Sequence, residues 1–530
     1  MHKINVNQFI ETDVLIIGGG IAGLACCVEA ERQNLRSILV CKTVIGGGAS
    51  YFPLKATLGV QVSGGKDDEA RFQEEINLVG HGLSDPHIVR AYIEESAQSI
   101  ELLNRIGFQP RKRNDNRPAC FARYSRPIYL IDQWQDSAAR AQRIIARQTH
   151  TEHYENTTLL HIVCEHNQVQ GAILSQQKCG RIFYIFCRTR NIILASGGIA
   201  GLYRDNLYPA DIIGSAHYIA KQAGASLVNL EFIQFIPSFT EPKYKVLFGE
   251  HTLKYVTNVT DRHGRSLFPH LSPQQFRAMM RARSDYAPFS MDFPGVEFDL
   301  TMMRHLLAHP EEKGVYLHYS PALYRDKTEF YQVYLQWLER EVGINLCRDN
   351  IAIRLFAHSC NGGIKINQYA QSEVNGLFAV GEVASCIEGA NRLGGNSVGG
   401  SLVFAKRAVQ KIKENQTVNS VETTFNATEH IQAYFAALDN PNGNPALSAS
   451  AVLATIRENM TRFANVYRTQ SNLALLATTL EELEKHYCPL HYADSQGIDI
   501  YNALKTAQEI VLQMRGRTQS LGAHQIAEDC

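Results

Sequence analysis

The chain has 530 residues, 45% of them hydrophobic and 20% charged, with Lys plus Arg and Asp plus Glu both totalling 52. That length excludes a single small binding module, and the apolar share excludes global disorder. The zero formal charge argues against a nucleic-acid partner, because dedicated binders carry a basic footprint. The 12 cysteines include no Cys-x-x-Cys spacing, so no zinc ribbon, iron–sulfur cluster or other metal site is expected within the chain. The N-terminus carries no secretory or twin-arginine signal, and no apolar stretch reaches the 18 or so residues that span a bilayer. Free thiols in a reducing cytoplasm, with no transmembrane segment, are the expectation.

Taken in chain order, Asp13-Val-Leu-Ile-Ile-Gly18-Gly19-Gly20-Ile-Ala-Gly23 reads as strand, tight turn and helix. Gly18, Gly20 and Gly23 fill a G-x-G-x-x-G pattern, whose missing side chains permit the turn, the approach of a pyrophosphate and close helix packing. A second apolar strand, Ser37 to Lys42, follows at the distance a βαβ unit requires, so the segment reads as a dinucleotide site. The acidic residue that usually holds a ribose at the second strand end is here Cys41-Lys42. Backbone groups or the loop Gly46 to Ser50 are left to hold the ribose. Arg111 to Arg117 reads as a solvated basic loop.

The strand Asn191 to Gly198 reads as the chain returning to the first sheet. From Ile236 to Asn350 aromatics and prolines cluster without strand–helix alternation, which suggests an inserted lobe. Gly376 to Glu382 is a further strand ending in Gly381-Glu382, and Gly389-Ala390-Asn391-Arg392 through Asn396-Ser397 leads into a helix near Val398. Such a helix start aims N–H groups and a positive dipole end at what precedes it. From Pro441 onward helical periodicity dominates.

Four segments in this order resemble the flavoprotein family that includes L-aspartate oxidase and the flavoprotein subunits of succinate dehydrogenase and fumarate reductase. They are Asp13 to Lys42, Asn229-Leu230-Glu231-Phe232-Ile233-Gln234-Phe235, Gly381 to Ser397, and Arg517-Thr518-Gln519-Ser520-Leu521-Gly522-Ala523-His524. The resemblance covers nearly the whole length. It implies an α/β fold with a Rossmann-like FAD-binding domain over 1–235 and 351–415, interrupted by a capping domain over 236–350 and followed by a C-terminal helical domain over 441–530. It implies FAD as cofactor, held by Gly18, Gly20, Gly23, Lys42, Ser50, Gly381, Glu382, Asn396 and Ser397. It also implies a C4 dicarboxylate between cap and flavin, with Arg392 clamping a carboxylate and His358 hydrogen-bonding the same ligand. A guanidinium fork suits that role because it offers two parallel charge-assisted hydrogen bonds.

Several residues depart from the family pattern. The family's Gln-Phe-His-Pro is Gln234-Phe235-Ile236-Pro237, and its Gln-Gly-Gly beside the flavin is Leu54-Lys55-Ala56, where Lys55 is a candidate to stabilise a reduced flavin or bind an acid group. No His lies between Ser50 and Gly59, so FAD is expected to be non-covalent, and the family's Gly-Asp-Gly is Gly214-Ser215-Ala216. The cap arginine of Ala-Pro-Arg-Asp is Phe289 in Ala287-Pro288-Phe289-Ser290. Arg281 and Arg283, one to two turns upstream, are the available replacements, and Arg283 is carried as the catalytic candidate against a plainer reading of both as helical surface charges.

The expected activity is hydride transfer between a small carboxylic acid, a dicarboxylate or amino acid, and FAD. Two alternatives stand beside it: a fumarate reductase-like subunit that works with an electron-transfer partner protein, and a flavin-retaining protein that is catalytically silent.

Overall fold

The computed structural model describes residues 6–51, 58–131, 136–416, 426–490 and 496–529. Its centre is a parallel five-stranded sheet in the order Leu377–Ala379, Ile192–Leu194, Val14–Ile17, Ser37–Val40, Thr151–Tyr154. Val14–Ile17 is buried at every residue, as a strand covered on both faces must be, which is why it reads as a continuous apolar run rather than an alternating one. The helices Ile21–Arg32 and Asn396–Gln416 cover this sheet and pack on each other, so the glycine-rich turn and the late Gly389 to Ser397 segment converge. A four-stranded sheet beside it runs Gln8–Glu11, Arg181–Arg188, Gln168–Lys178, Thr157–Glu165.

The second lobe is built on an antiparallel sheet in which Ile233–Glu241 pairs with Ile351–Cys360, flanked by Val315–Tyr319 and Val256–Thr260. The division expected between residues 235 and 236 falls inside the strand Ile233–Glu241, whereas residue 351 does open a strand. The helices Ala449–Phe463, Gln470–His486 and Gly497–Gly516 close the chain against this lobe. The eleven described cysteines are all free, and no helix among the described residues is long and apolar enough to cross a membrane.

The segments that carried the family resemblance touch one another. Gln234 donates through Nε2 to Asn391 Oδ1 at 3.0 Å, and its Oε1 accepts from Ser359 at 2.9 Å. Glu231 is ion-paired to Arg517 at 2.5 Å. Arg468, fully buried, donates to the Glu231 carbonyl at 3.1 Å and to His524 Nδ1 at 2.7 Å. A guanidinium only donates, so His524 accepts at Nδ1 and its Nε2–H donates to the Arg517 carbonyl at 2.9 Å. Burial and the neighbouring Arg468 hold that imidazole neutral, with its pKa lowered to about 3.

Candidate active site

A cavity of about 460 Å³ runs from the glycine-rich turn to the start of the helix Asn396–Gln416 and takes walls from both lobes. At its first end lie Gly18 and Gly20. A Cβ on Gly18 would stand 2.3 Å from the Ala195 carbonyl, and one on Gly23 would stand 1.8 Å from the Gly18 carbonyl. Gly23 therefore packs helix on strand and does not line the cavity, whereas a Cβ on Gly20 would meet only Gly48 Cα, at 3.6 Å, and Gly20 borders the open space. The helix Ile21–Arg32 has neither a side-chain cap nor an acidic residue in its first turn, which leaves its N–H groups for an anion.

These glycines give a measurable contrast. Gly23→Ala forces overpacking of about 1–3 kcal/mol and is expected to lower both the unfolding midpoint and the bound-flavin content. Gly20→Ala is expected to leave the apoprotein midpoint near wild type and still to lower flavin content. The ratio of flavin to protein absorbance and a denaturant titration of the apoprotein check both.

The stretch of the cavity beside the second strand end is built from distant parts of the chain. Lys42 lines the cavity, but its ammonium is ion-paired with Asp499 and donates to the Asp211 carbonyl at 3.0 Å. Asp499 also accepts from Ser215 at 2.7 Å, and Asp211 accepts from Thr43 at 3.3 Å. Asp211 and Asp499 thus bring carboxylates to the place where the local sequence offers none. Ser50 lines the same stretch, while Leu54-Lys55-Ala56 lies outside the described residues.

In the middle, Glu382 accepts from Tyr208 and, at 2.9 Å, from the Cys360 amide, in space that the missing side chain of Gly198 leaves open. Gly381 and Glu382 both border the cavity. Asn396 does not: its Oδ1 accepts from Gln61 at 3.2 Å and from Tyr92 at 3.3 Å, which fixes the first turn of the helix it opens.

At the far end stand His358, Arg392, Ser397 and Glu388. The ladder between Ile233–Glu241 and Ile351–Cys360 slips so that Phe235 pairs with Ala357 and Gln234 with Ser359, stepping over His358. Such an irregularity re-aims a side chain, and here the imidazole faces the cavity. Arg392 Nη2 donates to His358 Nε2 at 3.3 Å, and Nη1 donates to Ser397, which donates to Glu388 at 3.0 Å. Since the guanidinium only donates, His358 accepts at Nε2 in this contact. Glu388 is buried, and burial raises its pKa against the pull of Arg392. Sequence reasoning passed over this carboxyl, although an acid directly before Gly389 in a segment whose other charge is Arg392 is a visible signal.

Arg283 is not at the cavity. It is fully buried, ion-paired with Asp299 at 2.6 Å, and donates to the carbonyls of Tyr286 at 2.9 Å and Ala287 at 3.0 Å. Its nitrogens are committed to Asp299 and two backbone carbonyls, so Arg283 does not reach the cavity where the catalytic role was expected of it. It holds the loop from which Ala287 and Pro288 line the cavity. The surface-charge reading fits Arg281, which is exposed. Phe289 is buried, and its amide donates to the Phe235 carbonyl at 2.7 Å.

Near Arg283, burial pushes the Glu250 carboxyl up to about 8 although Arg283 pulls it down. Between the ordinary carboxylate value and pH 8 the folded chain therefore holds a proton that the unfolded chain has lost. Stability is expected to fall as pH rises through that window, by about 1.4 kcal/mol per unit. Glu250→Gln should abolish the slope, raising the urea midpoint at pH 8.5 while leaving it near wild type at pH 5.

The residues present fit an FAD: a glycine cradle with free helix N–H groups, carboxylates at the ribose end, and a cationic far end. The family described as "FAD binding domain" matches residues 13–398. The chain is 27% identical to one of the subunits of the CoM/CoB fumarate reductase from Methanothermobacter marburgensis, over 76% of this chain and 72% of that one. It is 24% identical to L-aspartate oxidase 1 of Ralstonia nicotianae, over 97% and 94%. A solved quinol fumarate reductase chain from E. coli superposes with a TM-score of 0.75 at 18% identity, covering 98% of this chain and 92% of that one, which shows a shared fold. With the family matched over most of its length and its glycine cradle intact, the chain belongs to the FAD binding domain family and is an FAD-dependent oxidoreductase.

Proposed function

We propose that the protein transfers a hydride between a small carboxylic acid and non-covalently held FAD. The observation that carries this reading is the contact between Arg392 and His358 at one end of a cavity whose other end is the glycine-rich turn. When bound, FAD supplies the hydride acceptor or donor. The chain's own residues bind and orient. Arg392 offers its guanidinium fork to a carboxylate, Ser397 and Glu388 hold that fork from behind, and His358 adds a hydrogen bond once Nε2 carries a proton. Positioning is the main contribution, since hydride transfer needs the reacting carbon held about 3–3.5 Å from its partner atom.

His358→Ala is expected to weaken carboxylate binding by about 1–3 kcal/mol with FAD content unchanged, read from ligand-induced shifts of the flavin spectrum. The reading itself is tested by following the visible spectrum anaerobically while amino, hydroxy and saturated acids are added, and by offering unsaturated acids to the reduced protein. Bleaching by one acid, or reoxidation by one, supports it. A flavin that no acid reduces or reoxidises favours the silent protein.

A second reading follows from the relative named as one of the subunits of a fumarate reductase: electrons then pass to or from a partner protein. An iron-containing chain that co-purifies with the protein would favour it.

A further inference from the structure

The far end of the cavity has two unlike walls. One holds Arg392 and His358. The other, contributed by the second lobe, holds Ile236, Leu247, Ala287 and Pro288. Ile236 is 5% exposed and clusters with Leu207 and Phe356, with Leu247 and Ala287 packed against them. It pairs with Phe356, two residues before His358, so Ile236 sits on the neighbouring strand about 6–7 Å of strand rise along from His358. The wall is also fixed in place, because Arg283 grips the carbonyls of Tyr286 and Ala287 and the Phe289 amide is bonded to Phe235.

Among the described residues that line the cavity, the cations are Lys42 and Arg392, and Lys42 is committed to Asp499 and Asp211 at the opposite end. Among the described residues, a ligand carboxylate is thus met by one cation, Arg392, with His358 beside it. A second carboxylate laid on Ile236, Leu247, Ala287 and Pro288 loses its hydration and gains no donor from those side chains, whereas an alkyl chain laid there gains by leaving water.

We propose that the acid taken by this site is a monocarboxylate with an apolar tail, its carboxylate on Arg392 and its tail on the Ile236 wall. The inference rests on the reading of the cavity as a carboxylic-acid site and names the ligand class.

The test uses the full-length, FAD-loaded protein and the shift of its visible spectrum on titration under anaerobic conditions. Acetate, butyrate, pentanoate and hexanoate are compared with succinate and glutarate. Affinity is expected to rise about fourfold per methylene from butyrate to hexanoate. Butyrate is expected to bind at least tenfold tighter than succinate, and pentanoate at least tenfold tighter than glutarate. Dicarboxylates that bind as tightly or more tightly overturn the inference and leave the carboxylic-acid reading standing. If neither class perturbs the flavin, the carboxylic-acid reading fails and takes the inference with it. Ile236→Ala locates the tail: hexanoate should weaken by tenfold or more while acetate stays unchanged, and an equal loss for both overturns the placement.

Discussion

Replacing Arg392 with alanine is expected to abolish carboxylate-dependent reduction of the flavin while FAD stays bound at full stoichiometry. Among the described residues the Arg392 side chain hydrogen-bonds to Ser397 and His358, not to the glycine cradle. It is joined to His358 on one side and to Ser397 and Glu388 on the other. Truncating one partner of a desolvated charge pair costs about 2–5 kcal/mol, so carboxylate affinity should fall by about 30- to 5,000-fold. Arg392→Lys keeps the charge and loses the fork, and should recover part of the binding but not the orientation. Titration of the flavin spectrum with the tightest acid, followed by rapid-mixing reduction, checks both variants. Unchanged reduction kinetics in Arg392→Ala would sink the clamp, and loss of FAD would make Arg392 a cofactor residue instead.

The largest effect on stability is expected from Arg283→Ala. Both members of the Arg283–Asp299 pair are fully buried, and removing the arginine strands a carboxylate and two backbone carbonyls in the core of the second lobe. Breaking such a pair costs about 3–5 kcal/mol. The double variant Arg283→Met with Asp299→Leu removes the charge along with its partner, and should regain most of that loss. A urea titration of the three proteins checks this. A reacting arginine would show the reverse pattern, with activity lost and the midpoint unmoved.

What the sequence disclosed, and what it hid, follows from the range of the interactions. The strand, turn and helix from Asp13 to Arg32 are local, and Gly18 and Gly23 answer to close contacts within the unit or with the strand end at Ala195. His358 and Arg392 were legible through the family motif, and they do meet, one from the strand Ile351–Cys360 and the other from the loop before the helix Asn396–Gln416. Arg283 was legible in principle: Phe276, Met280 and Arg283 follow helical spacing, so the arginine shares the apolar face of Pro273–Ser284. An arginine on an apolar face needs a buried acid, and nothing local announced Asp299. Asp211 and Asp499 carry no signal at all, since their value at the ribose end comes from tertiary approach. The expected division at residue 235 followed a composition change, which marks where side-chain chemistry shifts, and the strand Ile233–Glu241 runs across that point.

The link from Lys42 to Asp499 also sets a timetable. Polymerisation at about 5–20 residues per second puts roughly 20–90 seconds between the two residues leaving the ribosome. Throughout that interval the nascent dinucleotide unit exists without the acid its lysine pairs with, and the ribose end of the pocket stands unfinished. A chain stopped before residue 499 would carry every glycine of the cradle yet lack the acid that pairs with Lys42.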